Sequence, residues 1–578
     1  MKDPVSRRHM LAALGAGGAA LSLPSVGRAS MNQPRAGGDC PDALAQAEHF
    51  LGVSYTDAER AQLDDTVEGY LDRIRLRRAA FAPENSQPPA LTFDPLLKHG
   101  EYKPQRNRVR LEAGAAGQLP ARDDDIAFAP LWKQAQWLRH TALTSERLTR
   151  LYLDRIAKYA GRLECFATVT GARALARARQ ADQELAAGKD RGPLHGIPYG
   201  LKDLIDTAGV RTAWGAAPYQ DRTPMKNAEI VTRLEAAGAV MLGKTTLGAL
   251  AYGDKWYGGV TRNPWAPEEG SSGSSAGSAA ATAAGLASFA IGTETLGSIV
   301  SPSARCGVAG LRPTFGRVPR SGAMALCWSL DKIGPLCRYV EDTALVLAVL
   351  NGADGADAAS LDWGFEYDGG APVAGLTVGY DPAWFEKAPK GDLAVLDILK
   401  NAGVALREIR LPDLPYSSLL SILEAEAAAA FEELTLSNRD DLLSWQEDVA
   451  WPNTFRAARF HSAVEILQLD RFRRHIMEMM NDLFRNMDMM ISAPQMEDLL
   501  YITNYTGHPC LTLPVGLEDR QTLPLTGRLD AKPGPVRRLP RNMVLWGNML
   551  REDQLVRVGR LVEKTVNFHQ NNRPEMTG

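Results

Sequence analysis

The sequence predicts an α/β fold: a mixed β-sheet core flanked by α-helices on both faces. Three observations predict it. Short apolar segments alternate with amphipathic helical ones from about residue 126 onward. Glycines stand where those helices would stop. The composition of the 578 residues, 45% hydrophobic and 23% charged, is that of an ordinary globular protein.

The first element is a leader. Ser6-Arg7-Arg8-His9-Met10-Leu11 opens a small-residue apolar run that ends at Pro24, followed by Ser25-Val26-Gly27-Arg28-Ala29-Ser30. A charged start, a short apolar middle and a small-residue exit describe a signal peptide. The paired arginines resemble the twin-arginine class. The run is shorter than the ~20 residues needed to span a bilayer. Residues 1–29 are therefore read as a twin-arginine-type signal peptide, implying export to the periplasm and no membrane association of the mature form. Residues 30–125 read as a polar N-terminal extension packed on the main domain, with one helix over Asp57 to Arg78. The main domain is placed at residues 126–572.

Within that domain Thr144-Ser145 offers an N-cap, and Leu148, Leu151, Tyr152, Ile156 and Tyr159 follow at helical spacing. A second helix is predicted from Ala172 to Ala187, stopped by Gly188. Gly196 to Asp203 suits a short buried strand leading into a loop. Ala228 to Ala237 reads as helix, Gly238 as its stop and Val240-Met241-Leu242 as strand. Leu376 to Gly379, Val404 to Leu406 and Met487 to Ile491 read as further strands, with a helix over Asp392 to Ala402 and Gly403 behind it. Ser271 to Gly285 contains only Ser, Gly, Ala and Thr. A flexible linker would have that composition, but this stretch runs directly into apolar Leu286 to Ile291. A Gly/Ser loop entering a closely packed helix fits better.

Charge and cysteine narrow the function. A formal net charge of −3 gives no basic excess for nucleic acid or an anionic membrane. The six cysteines, Cys40, Cys165, Cys306, Cys327, Cys337 and Cys510, lack metal-ligand spacing, so zinc has no support and their pairing stays open. Three short patterns match known chemistry out of context. Gly238 to Thr245 satisfies the phosphate-loop pattern, but a helix precedes it and an apolar strand fills it. Gly273-Ser274-Ser275-Ala276-Gly277 satisfies the nucleophile-elbow pattern, which would make Ser275 the nucleophile of an α/β-hydrolase-like serine esterase. That turn must follow a buried strand, and Glu268 to Ser272 does not read as one. Its required histidine is also unassigned, since His461, His475, His508 and His569 sit in no recognisable context. Ser329-Leu330-Asp331-Lys332 satisfies S-x-x-K without the accompanying K-T-G.

The remaining constellation is coherent. Ser272-Gly273-Ser274-Ser275-Ala276-Gly277-Ser278 and Gly292-Thr293-Glu294-Thr295-Leu296-Gly297-Ser298-Ile299 resemble the signature of the amidase signature family. Gly192-Pro193-Leu194-His195-Gly196-Ile197-Pro198-Tyr199-Gly200-Leu201-Lys202-Asp203 looks like its lysine block. Cys306 to Thr314, Thr506-Gly507-His508-Pro509 and Val544-Leu545-Trp546-Gly547 look like later blocks in the same order. The likeness covers roughly residues 130 to 565.

This resemblance implies an amidase-signature-type sheet and an amidase acting on linear amides. Carried over by position, Lys202 is the base, Ser274 the bridging serine on a cis peptide, and Ser298 the acyl-forming nucleophile. Each role has a physical reason. A serine hydroxyl is a poor nucleophile until a base takes its proton. Lysine serves only when neutral, which burial favours. Ile197, Leu201, Leu204 and Ile205 supply apolar surroundings, while Asp203 and Asp206 would oppose if they faced the amine. A hydroxyl that donates and accepts together can relay the proton. Backbone N–H groups of Thr295, Leu296, Gly297 and Ser298 would hold the oxyanion, at roughly 3–4 kcal/mol each in the transition state.

The sequence departs from the common pattern at Leu296, where a glycine usually stands and where a side chain narrows the acyl pocket or demands another backbone angle. Val300 replaces a frequent arginine, and Ala276 a glycine. The family implies no cofactor or metal. The expected partner is a small-molecule amide, with a homodimer left open. A tRNA-dependent amidotransferase A-subunit-like glutaminase is an alternative within the family, and a non-catalytic binding protein one outside it. The segment from about 415 to 495 matches no block and is expected to shape the pocket, with Glu424, Glu426 and Trp451 unassigned.

Overall fold

The segments read as strands pair into one eleven-stranded sheet in the computed structural model. It describes residues 40–80, 83–112, 114–386, 390–494, 496–526, 532 and 534–576. The signal-peptide segment, residues 1–29, lies outside the described residues. In chain order the strands are β1 (Phe166–Val169), β2 (Pro198–Lys202), β3 (Val240–Thr245), β4 (Phe289–Glu294), β5 (Ala309–Arg312) and β6 (Lys332–Cys337). They continue with β7 (Thr377–Tyr380), β8 (Ala405–Glu408), β9 (Met489–Ser492), β10 (Cys510–Gln521) and β11 (Val536–Gly547). Across the sheet the order is β8-β7-β9-β11-β10-β5-β6-β4-β2-β3-β1. Both flanks are parallel, β8-β7-β9 and β4-β2-β3. Every pairing between β9 and β4 is antiparallel, as is β1 on β3.

Local chemistry sets the flanking helices where the sequence placed them. Helix α1 (Ser145–Leu163) starts at Thr144, whose Oγ1 accepts the Arg147 N–H at 3.1 Å, a cap worth about 1 kcal/mol. Leu148, Tyr152 and Ile156 are buried on its inner face. Helices α2 (Gly171–Ala186) and α3 (Glu229–Ala236) are followed by Gly188 and Gly238 at φ +75° and +79°, a backbone region open to glycine. The remaining helices used below are α4 (Ala276–Ala283), α5 (Val300–Cys306), α6 (Val340–Leu350), α7 (Lys390–Asn401), α8 (Leu420–Ala430), α9 (Trp451–Ala457), α10 (Ala463–Phe484), α11 (Glu497–Thr506) and α12 (Glu552–Val566). Helices α6 and α12 pack on each other and against β6 and β10, while α4 lies on β4.

Two compact units divide at residue 75. The described part of the first carries helix Cys40–Leu51 and the helix that starts at Asp57 and ends at Ala80, with Arg60 Nε on Glu48 Oε1 at 2.7 Å. The second contains the sheet, and in it residues 108–110 pair in parallel with Glu366–Asp368. Among the described residues, no helix is long and apolar enough to cross a membrane.

The phosphate-loop pattern falls on β3, which is buried throughout and preceded by α3. One expectation is corrected: the residues before the elbow pattern do form a strand, Ala266–Gly270. Among the described residues it pairs only with Arg262–Asn263, outside the main sheet, and its buried Glu269 is held by Asn263 Nδ2 at 2.8 Å and by Arg520. The strand–turn–helix of a hydrolase elbow is therefore absent from the main sheet at this point.

Candidate active site

Lys202 ends β2 with no exposed surface. Strand register places it: Gly200 faces Ala290 and Leu201 faces Ile291, so the lysine lies beside the end of β4. Its Nζ donates to Thr293 Oγ1 at 2.8 Å and to the Thr293 carbonyl at 3.2 Å. Two hydroxyls of the loop before α4 also lie within hydrogen-bond reach of the amine, Ser274 Oγ at 2.8 Å and Ser275 Oγ at 3.1 Å. Burial pushes the amine well below the ordinary lysine range, against the pull of the Asp331 and Glu294 carboxylates.

The two serines differ in what they can give. Ser275 Oγ donates to the Thr293 carbonyl at 3.0 Å and accepts the Thr293 N–H at 3.1 Å. Its proton is committed. Among the described residues Ser274 Oγ has Lys202 as its only partner, so its proton is the one available to a neutral amine's lone pair. The Gly273–Ser274 peptide is cis, as the resemblance implied. Close packing explains the small residues of this loop. A Cβ on Gly273 would strike the Gly253 carbonyl oxygen, and one on Gly277 would strike the Cys165 carbonyl and the Thr246 amide.

Ser298 stands between β4 and α5, 7% exposed, and its carbonyl accepts the Ser275 N–H at 3.2 Å. Residues 295–298 line a cavity of about 770 Å³. Among the described residues the N–H groups of Leu296, Gly297 and Ser298 find no acceptor, which leaves them free for a developing negative charge. Gly297 needs its left-handed φ of +82°; Leu296 keeps a negative φ and lines the cavity, so the uncommon leucine imposes no backbone strain.

Two acidic residues brace this loop. Glu294 Oε2 accepts the Ile299 and Val300 N–H groups at 2.8 and 3.0 Å, where α5 begins. Its Oε1 takes Arg312 at 2.6 Å and Asn504 Nδ2 at 2.9 Å. Burial raises the Glu294 carboxyl, but the Arg312 guanidinium and the Val300 N–H outweigh it and hold the group at about 2. Arg312 also reaches Thr503 Oγ1 and the His508 carbonyl, each at 2.8 Å, which ties in the Thr506–Pro509 block. Asp331 accepts Thr295 Oγ1 at 2.6 Å and the Leu326 and Cys327 N–H groups at 2.8 and 3.0 Å. The acids near Lys202 are thus Glu294 and Asp331. Asp206 is paired with Arg222 at 2.6 Å, and Asp203 has Lys244 as its charged neighbour.

The unassigned segment supplies one wall of the cavity. Glu424 on α8, Trp451 on α9 and His461 line it with Tyr252 and Tyr501, and His461 Nε2 lies 2.9 Å from Glu424 Oε2. Glu426 is elsewhere, accepting Ser329 Oγ at 2.5 Å. Sequence reasoning gave no role to Thr293, Asp331 or His461: Thr293 stood inside a quoted block, Asp331 inside the S-x-x-K pattern set aside, and His461 among the histidines without a context. Among the described residues, no group of three His, Cys, Asp or Glu side chains converges as a metal site, and Cys165, Cys306, Cys327, Cys337 and Cys510 are buried and free.

Known proteins resemble this chain in sequence and in fold. A family model described as Amidase matches residues 147–555. The A-type component of the glutamyl-tRNA(Gln) amidotransferase of Roseiflexus castenholzii is 34% identical over 472 residues, 75% of this chain and 95% of that protein. Native peptide amidase from Stenotrophomonas maltophilia superposes with a TM-score of 0.66 at 28% identity, over 78% of this chain and 99% of its own. A structure described with a vestigial protein complex and the origins of an s-triazine catabolic enzyme gives 0.67 at 26% identity, over 76% and 98%. The match runs through the blocks in which Lys202, Ser274, Ser298 and their braces stand, and on that footing the chain belongs to the Amidase family, enzymes that act on carbon–nitrogen bonds.

Proposed function

We propose that the protein hydrolyses a carboxylic acid amide to the acid and ammonia or an amine, with Lys202 as base, Ser274 as relay and Ser298 as nucleophile. The observation that carries this reading is the buried Lys202 amine, 2.8 Å from Ser274 Oγ, whose proton has no other acceptor among the described residues. Neutral Lys202 takes the Ser274 proton as Ser274 takes that of Ser298. Ser298 Oγ attacks the carbonyl carbon, and the N–H groups of Thr295, Leu296, Gly297 and Ser298 receive the oxyanion. The C–N bond breaks as the relay returns a proton to the leaving nitrogen. Water then attacks the Ser298 ester and releases the acid.

Likeness to the A-type components of amidotransferases favours a second reading, a glutaminase that works within such an assembly. The twin-arginine-type leader favours the first, because it sends the chain to the periplasm, away from tRNA. A panel of primary and aryl amides, with glutamine included, decides: ammonia or amine release from amides by the isolated chain supports hydrolysis, and release from glutamine alone supports the second reading. Export is tested by the N-terminus of the periplasmic form, expected just after Ala29.

A further inference from the structure

The cavity at Ser298 is acidic and aromatic, and among the described residues no lysine or arginine lines it. Glu424 and Asp448 are its carboxylates. Among the described residues Glu424 has His461 as its one partner, an ion pair when the imidazole is protonated, and the Asp448 carboxylate has none. Nearby arginines are engaged elsewhere: Arg456 with Asp440 at 2.6 Å, Arg459 with Glu432 at 3.7 Å. Tyr252 lines it and packs against both Trp445 and Trp451, with ring centroids 5.0 Å apart in each pair, and Trp451 and Tyr501 also line the space. Aromatic rings and carboxylates lining one space both favour a cation there: the ring quadrupoles and the carboxylates attract the same charge. An anionic substrate would meet like charge at Glu424 and Asp448.

We propose that this cavity selects amides carrying a cationic ammonium group on an apolar or aryl body, with Glu424 as the specificity-determining residue and Asp448 its auxiliary. The proposal rests on the amide-hydrolysis reading for turnover, though binding can be read without it. His461 fixes the Glu424 carboxylate by its hydrogen bond and leaves the second oxygen for the ligand.

The test uses three benzamides matched in size at pH 8: 4-(aminomethyl)benzamide, 4-ethylbenzamide and 4-(carboxymethyl)benzamide. The expected order of kcat/KM is cationic, neutral, anionic, with about tenfold between the first two. Glu424→Gln should lower the cationic-to-neutral ratio several-fold, and Glu424→Gln with Asp448→Asn should bring it to about one. A wild-type ratio near one, or a ratio that survives the double variant, overturns the proposal. A parallel binding arm titrates benzylamine and phenylacetate into Ser298→Ala protein by calorimetry. Benzylamine should bind and phenylacetate should not, with benzylamine weakened in Glu424→Gln. Absent turnover of all three amides with benzylamine binding intact would count against the hydrolytic reading and leave the cation site standing; absent benzylamine binding overturns the site itself.

Discussion

Lys202 and Ser274, 72 residues apart in sequence, meet at 2.8 Å between Nζ and Oγ in a pocket where neither has exposed surface. The adjacent Ser275 lies only slightly farther from the same amine, 3.1 Å, yet its hydroxyl is bonded on both sides to the Thr293 backbone. Two neighbouring serines thus have separate tasks, one able to pass a proton and one holding the loop against β4.

That division predicts the substitution pattern. Lys202→Ala and Ser298→Ala should abolish amide hydrolysis, and Ser274→Ala should lower kcat by about 10²–10⁴, the usual contribution of a proton-transfer group. Ser275→Ala should only weaken it. Steady-state ammonia release on one good amide reads all four, and a dead Ser275→Ala beside an active Lys202→Ala would restore the hydrolase-elbow alternative.

The pH profile follows from burial. Lys202 acts when neutral, and burial holds its amine well below the ordinary lysine range. The acid limb of kcat/KM should therefore end well below pH 10. Asp331 raises the Lys202 value, so Asp331→Asn should move that limb to lower pH even as the lost Thr295 bracing reduces the plateau. A limb moving to higher pH would contradict this electrostatic account.

Stability should move against activity at the same residue. A buried amine with a lowered value disfavours the folded state at neutral pH, because the unfolded chain binds the proton that the folded chain does not. Replacing that amine by an apolar side chain of similar length removes the cost of leaving it unprotonated in the folded chain. Lys202→Met should be inactive with a thermal midpoint at pH 7 equal to or above wild type. A fall of several degrees would show that the amine's hydrogen bonds outweigh its burial.

Glu294→Gln should act oppositely. It leaves Arg312 charged, buried and unpaired, a loss of about 3–5 kcal/mol. With its folded value at about 2 and an unfolded value of about 4.3, the Glu294 contribution is complete above the unfolded value. It is lost as pH falls towards 2. Denaturant titrations at pH 7 and pH 3 should show the gap between wild type and Glu294→Gln narrowing at the lower pH.

Much of this was legible in the sequence because it is local. Thr144, Gly188 and Gly238 mark helix ends through their own backbone chemistry, and the blocks around Lys202, Ser274 and Ser298 carry recognisable residues in order. What was not legible is long-range. Asp331 reaches the Ser298 loop because β6 lies beside β4, and α8 meets His461 only once the chain between them has folded. Neither residue has a neighbour in sequence that announces its partner. The Ala266–Gly270 strand was missed for a related reason: Glu268 and Glu269 read as polar loop until Asn263 and Arg520 supply partners for a buried carboxylate.

The central claim is the identity of the nucleophile. Reaction of the purified protein with a fluorophosphonate, followed by peptide mass mapping, tests it most directly. The account predicts one adduct on Ser298, lost in Ser298→Ala and strongly slowed in Lys202→Ala. An adduct on Ser275, or labelling of Ser298 at an unchanged rate without Lys202, would contradict it.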